Sequence, residues 1–356
     1  MIDLFTPLTL GKTSLPNRIL MAPLTRCRAD ADHVPTAMMA EYYAQRASAG
    51  LLIAEATMIS EGNSAFWREP GIYSEAQINA WRSVTDAVHA KGGRIFLQIW
   101  HGGRACHPAL NDGATPVAPS AIAIAIDDTV HTPEGKLPYA VPRALELSEI
   151  PSIVEAFRQA ALNAIAAGFD GVEIHGANGY LLDQFLRSSS NQRSDHYGGT
   201  LENRARLMFE VIAAVTAAIG SERTGLRLSP LNSFNSMLDD DPIQLMQYLA
   251  SELNRFELAY LHLMRADFAG IQQADVVSVT REHYQGTLIG NMGYSFDEAC
   301  AAVASGQLDA VAFGSAYIAN PDLVERFANQ QPLAQPDAAT FYTQDVKGYT
   351  DYPSLA

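Results

Sequence analysis

Eight short apolar runs alternate along this chain with longer segments of helical period, and that alternation restricts the fold more than any other feature. The runs are RILMAP (from Arg18), LLIAEAT (from Leu51), RIFLQIW (from Arg94), GVEIHG (from Gly171), GLRLSP (from Gly225), LAYLHLM (from Leu258), TLIGN (from Thr287) and AVAFGS (from Ala310). Helical segments are expected near 36–49, 75–90, 148–167, 200–219, 241–255, 273–284, 295–305 and 321–329. The clearest is the fourth, where Leu207, Val211, Val215 and Ile219 recur every fourth residue behind Thr200, a hydroxyl suited to an N-cap. Regular strand–helix alternation implies parallel strands joined by crossover helices, and eight units close into a (β/α)8 TIM barrel. The rival, an open doubly wound sheet, usually shows GxGxxG after its first strand; here that strand runs into PLTRCR.

A single barrel domain spanning 1–356 absorbs the whole length. One interval breaks the rhythm: residues 102–147 hold six prolines and no long amphipathic pattern, as expected of an insertion over the barrel mouth, with a small hairpin around HTPEGKLPY. The first ~17 residues are expected to form a cap on the barrel bottom, turning at Gly11-Lys12. Acidic residues outnumber basic ones, 39 to 24, and the net charge of −15 opposes binding to nucleic acid. No basic, apolar leader opens the chain, and the apolar runs fall short of a membrane span, so a cytoplasmic location is expected. Cys27, Cys106 and Cys300 are widely spaced, which supports neither a disulfide framework nor a four-thiolate metal site.

Side chains alternate along a strand. In RIFLQIW the count turns Ile95, Leu97 and Ile99 outward and Phe96, Gln98 and Trp100 inward; in GVEIHG it turns Glu173 and His175 inward; in GLRLSP it turns Arg227 inward. Gln98, His175 and Arg227 therefore share one interior near the C-terminal strand ends, where barrel active sites form. Arg227 is also placed to neutralise Glu173. Burying several such groups without partners costs about 1–3 kcal/mol each, which points to a polar ligand at the mouth. After the fourth strand, HGANGYLLDQF admits two readings. If the chain turns helically after His175, then Asn178 and Tyr180 join it as donors to an oxygen gaining negative charge, with a phenolic proton source beside them. Alternatively Asn178 caps a helical turn and Tyr180 simply packs. The glycine-bearing ends IGNMGY and FGSAYIANP follow the seventh and eighth strands, the usual phosphate-binding loops of such barrels, and imply a phosphate-bearing ligand.

Taken together, LFTPLTLG, LPNRILMAPLTRCRA, LQIWHGGR, PRALELSEIP, AGFDGVEIHGANGYLLDQFL, SSNQRSDHYGGTLENRARL, LRLSP, AVAFGSAYIANPDLV and GYTDYP resemble the old yellow enzyme family of flavin-dependent ene-reductases, especially the bacterial branch containing N-ethylmaleimide and pentaerythritol tetranitrate reductases. The resemblance runs nearly end to end. It implies FMN across the barrel mouth, NADPH or NADH as reductant, and a small activated alkene as substrate: an enone, enal, maleimide or nitroalkene, with nitro compounds as a further class. It places Pro23, Leu24 and Ala56 along the flavin ring, Thr25 at O4, Gln98 at the pyrimidine edge and Arg227 by N1 and O2. His175 and Asn178 would hold the substrate oxygen, and Tyr180 would supply the proton. Phe66, Trp100 and Tyr342 would shape the substrate pocket. The backbone of Gly290, Asn291, Gly314 and Ser315 would cradle the phosphate. No metal is implied, and the protein is expected to be a monomer or weak homo-oligomer.

The chain departs from the family pattern where relatives usually read FGR. Here the sequence is FGS, and Ser315 cannot supply the guanidinium that grips the phosphate; Arg265 is the candidate replacement. Other chemistries on this barrel fit less well. Lys12, Lys91, Lys136 and Lys347 lie away from strand ends, where a Schiff-base lyase needs its amine, and His101, Cys106 and His107 form a weak metal motif on a glycine loop. Three cysteines cannot ligate the iron–sulfur cluster of the dienoyl-CoA reductase relatives.

Overall fold

The computed structural model describes residues 2–125 and 128–355. Eight parallel strands close into a barrel: β1 (Ile19–Met21), β2 (Leu52–Met58), β3 (Ile95–Trp100), β4 (Gly171–Gly176), β5 (Thr224–Leu228), β6 (Tyr260–Met264), β7 (Leu288–Asn291) and β8 (Ala310–Phe313). The ring shuts where β8 pairs with β1, Phe313 facing Met21. The crossover helices are α1 (Ala37–Gln45), α2 (Glu75–Ala90), α3 (Ile150–Ala166), α4 (Leu201–Ile219), α5 (Pro242–Leu253), α6 (Val276–His283), α7 (Phe296–Ala304) and α8 (Leu323–Ala328). Local chemistry starts several of them: Ser74 and Gln77 form a capping box on α2, Ser295 and Glu298 one on α7, and the Thr200 hydroxyl accepts from the Asn203 N–H on α4. Leu207, Val211 and Val215 of α4 are fully buried in a layer with the outward-facing Leu97, Val172, Ile174 and Leu226.

The lower barrel is apolar. Leu10 and Leu15, from the hairpin Leu8–Leu10/Thr13–Leu15, meet Leu20, Ile53, Phe96, Tyr260 and Ile289 from inside the ring. Gly11, at φ +51°, makes the hairpin turn. Gly171 and Gly225 leave room inside the barrel for the rings of Phe96 and Tyr260, which a Cβ at either position would strike.

Between β3 and α3 the chain makes two short 3-10 turns, then an antiparallel hairpin of Thr129–Thr132 with Gly135–Pro138. Ile126 and Asp127, within the expected 102–147 insertion, lie outside the described residues, as do Met1 and Ala356. Two short helices were not anticipated, Leu181–Leu186 and Ser315–Ala319, each just beyond a strand end. Among the described residues no helix is long and apolar enough to cross a membrane, and no group of three or more His, Cys, Asp and Glu is arranged to hold a metal ion.

Candidate active site

Above the apolar layer the barrel interior turns polar. Gln98 Nε2 donates to Glu173 Oε1 at 2.7 Å, and His262 Nδ1 lies 2.8 Å from Glu173 Oε2. Arg227 places one guanidinium nitrogen 2.8 Å from His262 Nε2 and donates with the other to Asn291 Oδ1 at 2.8 Å. Burial, with Arg227 adding to it, pulls the His262 imidazole down to about 4. A neutral ring is thus the relay, accepting from Arg227 and donating to Glu173. Burial pushes the Glu173 carboxyl up, but His262, Arg227 and Gln98 outweigh it and hold it below its usual value. Arg227 therefore reaches Glu173 through His262, and its charge helps to keep the Glu173 carboxyl ionised. The same inward count that gave Gln98 applies to YLHLM and selects Tyr260, His262 and Met264, so His262 was within reach of sequence reasoning.

This layer floors an open cleft of about 340 Å³, lined by most of the sequence-predicted set: Pro23, Leu24, Thr25, Ala56, Phe66, Gln98, Trp100, His175, Asn178, Tyr180, Arg227, Ser315 and Tyr342. A β-bulge in β2 between Ala54 and Thr57 turns Ala56 to the cleft, while the Glu55 carboxylate accepts from the Tyr43 hydroxyl and the Arg26 N–H. Gly290, Asn291 and Gly314, expected to act through their backbone, are not among the residues lining this cleft. Gly290 is on the outward parity of β7, where a Cβ would meet Leu308, because its inward neighbours are Ile289 and Asn291. The Asn291 side chain is spent on Arg227 and the Ala312 carbonyl. Gly314 sits behind Leu24. Phe234, Phe268, Ile318, Phe341 and Arg26 complete the lining without having been anticipated.

The chain does not turn helically after His175. Asn178 and Gly179 are both left-handed, φ +58° and +74°, and the helix begins only at Leu181. A Cβ on Gly179 would crowd Asn235 and Met237, so the second position needs glycine. The left-handed pair brings the Asn178 side chain back toward the cleft. Its N–H donates to Ser229 Oγ at 2.7 Å and its Oδ1 accepts from Asn232 Nδ2 at 2.9 Å, which leaves Nδ2 as the donor available to a ligand. His175 stacks 6.0 Å from Trp100, and Tyr180 meets Trp100 edge-on at 4.3 Å. Burial drives the His175 imidazole well below its ordinary value, Arg227 and His262 adding to the effect, so it is neutral. Burial likewise drives the Tyr180 phenol well above 10, with Tyr139, Tyr342 and Glu69 adding to it, so it keeps its proton.

Three buried polar atoms on this lining have no partner among the described residues: Trp100 Nε1, His175 Nδ1 and Arg227 Nε. Orphans of this kind are costly unless a ligand satisfies them. A lining that combines apolar Pro23, Leu24 and Ala56 with polar Thr25, Gln98 and Arg227 suits a flat heteroaromatic ring with a polar edge. Residues 3–334 match the family model described as NADH:flavin oxidoreductase / NADH oxidase family. The chain belongs to this family. It is 53% identical to a probable flavin mononucleotide-dependent alkene reductase of Leishmania infantum, covering 98% of this chain and 96% of that one. Among solved structures it resembles the old yellow enzyme from Trypanosoma cruzi (46% identity, TM-score 0.96, 99% of each chain) and morphinone reductase (48%, TM-score 0.95, 99% of this chain and 96% of that one).

The cleft lining is short of free positive charge for a phosphate. Arg26 and Arg227 are the cations among the described lining residues, and Arg26 is committed to the Phe341 and Gly348 carbonyls. Arg265, just past β6, is engaged with the loop after β7 and the start of α7: it donates to the Met292 and Gly293 carbonyls, pairs with Glu298 at 3.2 Å and lies over the Tyr294 ring.

Proposed function

We propose that the cleft carries out the reduction of activated alkenes with the roles its geometry suggests for His175, Asn178 and Tyr180. The enzyme is an FMN-dependent NAD(P)H oxidoreductase acting on the C=C bond of activated alkenes. Bound FMN supplies the hydride that NAD(P)H has delivered to it. Thr25, Gln98 and Arg227 would hold the flavin's polar edge, and Pro23, Leu24 and Ala56 its ring. Arg227, its charge fixed through His262 and Glu173, favours negative charge at that edge. His175 and Asn178 Nδ2 donate to the substrate's electron-withdrawing oxygen, which gathers charge as the β-carbon is reduced. Tyr180 Oη gives its proton to the α-carbon, so that one C=C bond becomes C–C and one NAD(P)H is oxidised. The observation that carries these roles is a neutral imidazole and an oriented carboxamide sharing a cleft with a phenol that burial keeps protonated.

The finer reading is that Phe66, Trp100 and Tyr342 shape the substrate pocket, NADPH is preferred to NADH, nitro compounds are also reduced, and the protein works in the cytoplasm as a monomer or weak homo-oligomer. The whole chain acts as one barrel with 102–147 as a cover over its mouth. With Ser315 in place of a phosphate-gripping arginine, backbone groups around Asn291, Gly314 and Ser315 hold the phosphate, and FMN is bound more loosely. The deciding experiment is to record the visible spectrum of the purified protein, bleach it anaerobically with NADPH and add 2-cyclohexenone. Stoichiometric return of the yellow colour supports the reading; a bleached protein that 2-cyclohexenone leaves colourless rejects it.

A further inference from the structure

Asn232, fully buried on the loop after β5, stands behind Asn178 and is polarised in one sense. The two ends of a carboxamide are alike in shape, so its hydrogen-bond partners decide which end is which. At Asn232 the decision falls to backbone groups that can only donate. Its Oδ1 accepts from the Phe234 N–H at 3.4 Å, on the loop after β5, and from the Phe268 N–H at 3.3 Å, on the loop after β6. Nδ2 is therefore the end turned to Asn178, whose Oδ1 it meets at 2.9 Å. The second carboxamide must follow the first, with its oxygen turned back and its Nδ2 turned forward. Asp267 keeps the source of this polarity in place. Its Oδ1 accepts from the Ser233 N–H and hydroxyl, each at 2.8 Å, and from the Ala269 N–H at 3.2 Å, while its Oδ2 takes the Ile271 N–H at 2.7 Å. The two loops are thus tied together beside the N–H groups that Asn232 accepts.

We propose that Asn232 is a positioning residue for alkene reduction: it sets the Asn178 carboxamide with its N–H donor, not its oxygen, facing the oxygen of the substrate. The proposal rests on the reading of Asn178 as a donor to that oxygen and assigns where the donor's direction comes from. Turned the other way, Asn178 would aim a carbonyl oxygen at an atom gathering negative charge, and an attraction would become a repulsion. The direction is inherited, through two side chains, from the main chain of two loops.

Asn232→Asp and Asn232→Ala separate this role from simple loop support, because the two roles rank them oppositely. The introduced carboxylate still accepts from the Phe234 and Phe268 N–H groups, but it can only accept from Asn178 as well, so that carboxamide turns round to donate to it. Alanine gives up the loop contacts and leaves the Asn178 carboxamide free to rotate. The measurement is reoxidation of the reduced FMN-loaded enzyme by 2-cyclohexenone at about pH 8, well above the ordinary carboxyl value. The expected loss is about 10²- to 10³-fold in Asn232→Asp, that of a missing oxyanion donor. In Asn232→Ala it is roughly tenfold or less, that of one neutral hydrogen bond. FMN affinity, from titration of each apoprotein, should match the parent. In an Asn178→Ala background, with no carboxamide to turn, neither change should cost anything further; that cycle with Asn232→Ala decides the matter should Asn232→Asp not fold. A greater loss in Asn232→Ala than in Asn232→Asp, or losses that simply add to that of Asn178→Ala, overturns the positioning role. A damaged Asn178→Ala beside an unharmed Asn232→Asp overturns the proposal alone. An Asn178→Ala enzyme that works at the parental rate removes the donor reading of Asn178 and the proposal with it.

Discussion

The two ends of this barrel are built from opposite materials. At the bottom, Leu10, Leu15, Leu20, Ile53, Phe96 and Tyr260 fill the interior, with glycines at 171 and 225 cut to the shape of the two rings. At the mouth, the same strands one or two inward positions later present Gln98, Trp100, Glu173, His175, Arg227 and His262. The lower layer is almost wholly apolar, with the Tyr260 hydroxyl its one unpartnered polar atom among the described residues. The upper one leaves Trp100 Nε1, His175 Nδ1 and Arg227 Nε without partners, and so is finished only by a ligand. Stability and chemistry are thereby stacked along one axis, a few ångströms apart on shared strands.

The sharpest way to break that division is to change one atom at the mouth. Tyr180→Phe should lower the rate of alkene reduction by about 10²- to 10⁴-fold while flavin reduction by NADPH is spared, as rapid-mixing measurement of the two half-reactions would show. At the bottom, Phe96→Ala should do the reverse. It should cost about 3–5 kcal/mol in urea unfolding of the FMN-saturated protein, with turnover of 2-cyclohexenone changed only slightly. A large kinetic loss from Phe96→Ala would mean that the layers are not separable.

Smaller changes refine the picture. Ser315→Arg should supply a charge-assisted bond of about 1.5–3 kcal/mol to the cofactor phosphate, a tightening of roughly 10- to 150-fold in FMN titration of the apoprotein. An unchanged affinity would show that the backbone already holds the phosphate fully. The mildest expectation is a flat line. Because His175 is depressed and Tyr180 elevated by burial, kcat/KM for the alkene should not break as pH falls through 6.5, the ordinary histidine value, nor as it rises to 9, below the ordinary phenol value. A break near 6.5 would show that His175 titrates as a solvated imidazole.

How much of this was legible in the sequence follows from the range of the interactions involved. Strand parity is local, so Gln98, His175 and Arg227 could be placed on one interior from the order of residues, and His262 by the same count. The turn at Asn178-Gly179 was misread as helical, since the residues that fix its left-handed backbone, Ser229, Asn232 and Asn235, arrive from beyond β5. Least legible was the clamp of Arg26 and Arg28 on the carbonyls of Thr340, Phe341 and Gly348, which seats Tyr342 at the cleft from the other end of the chain. Nothing near Arg26 or Arg28 in sequence announces such partners.

The hairpin that seals the base has a consequence for traffic. A vessel stoppered at one end has a single door, so the nicotinamide and the alkene both arrive by way of the mouth.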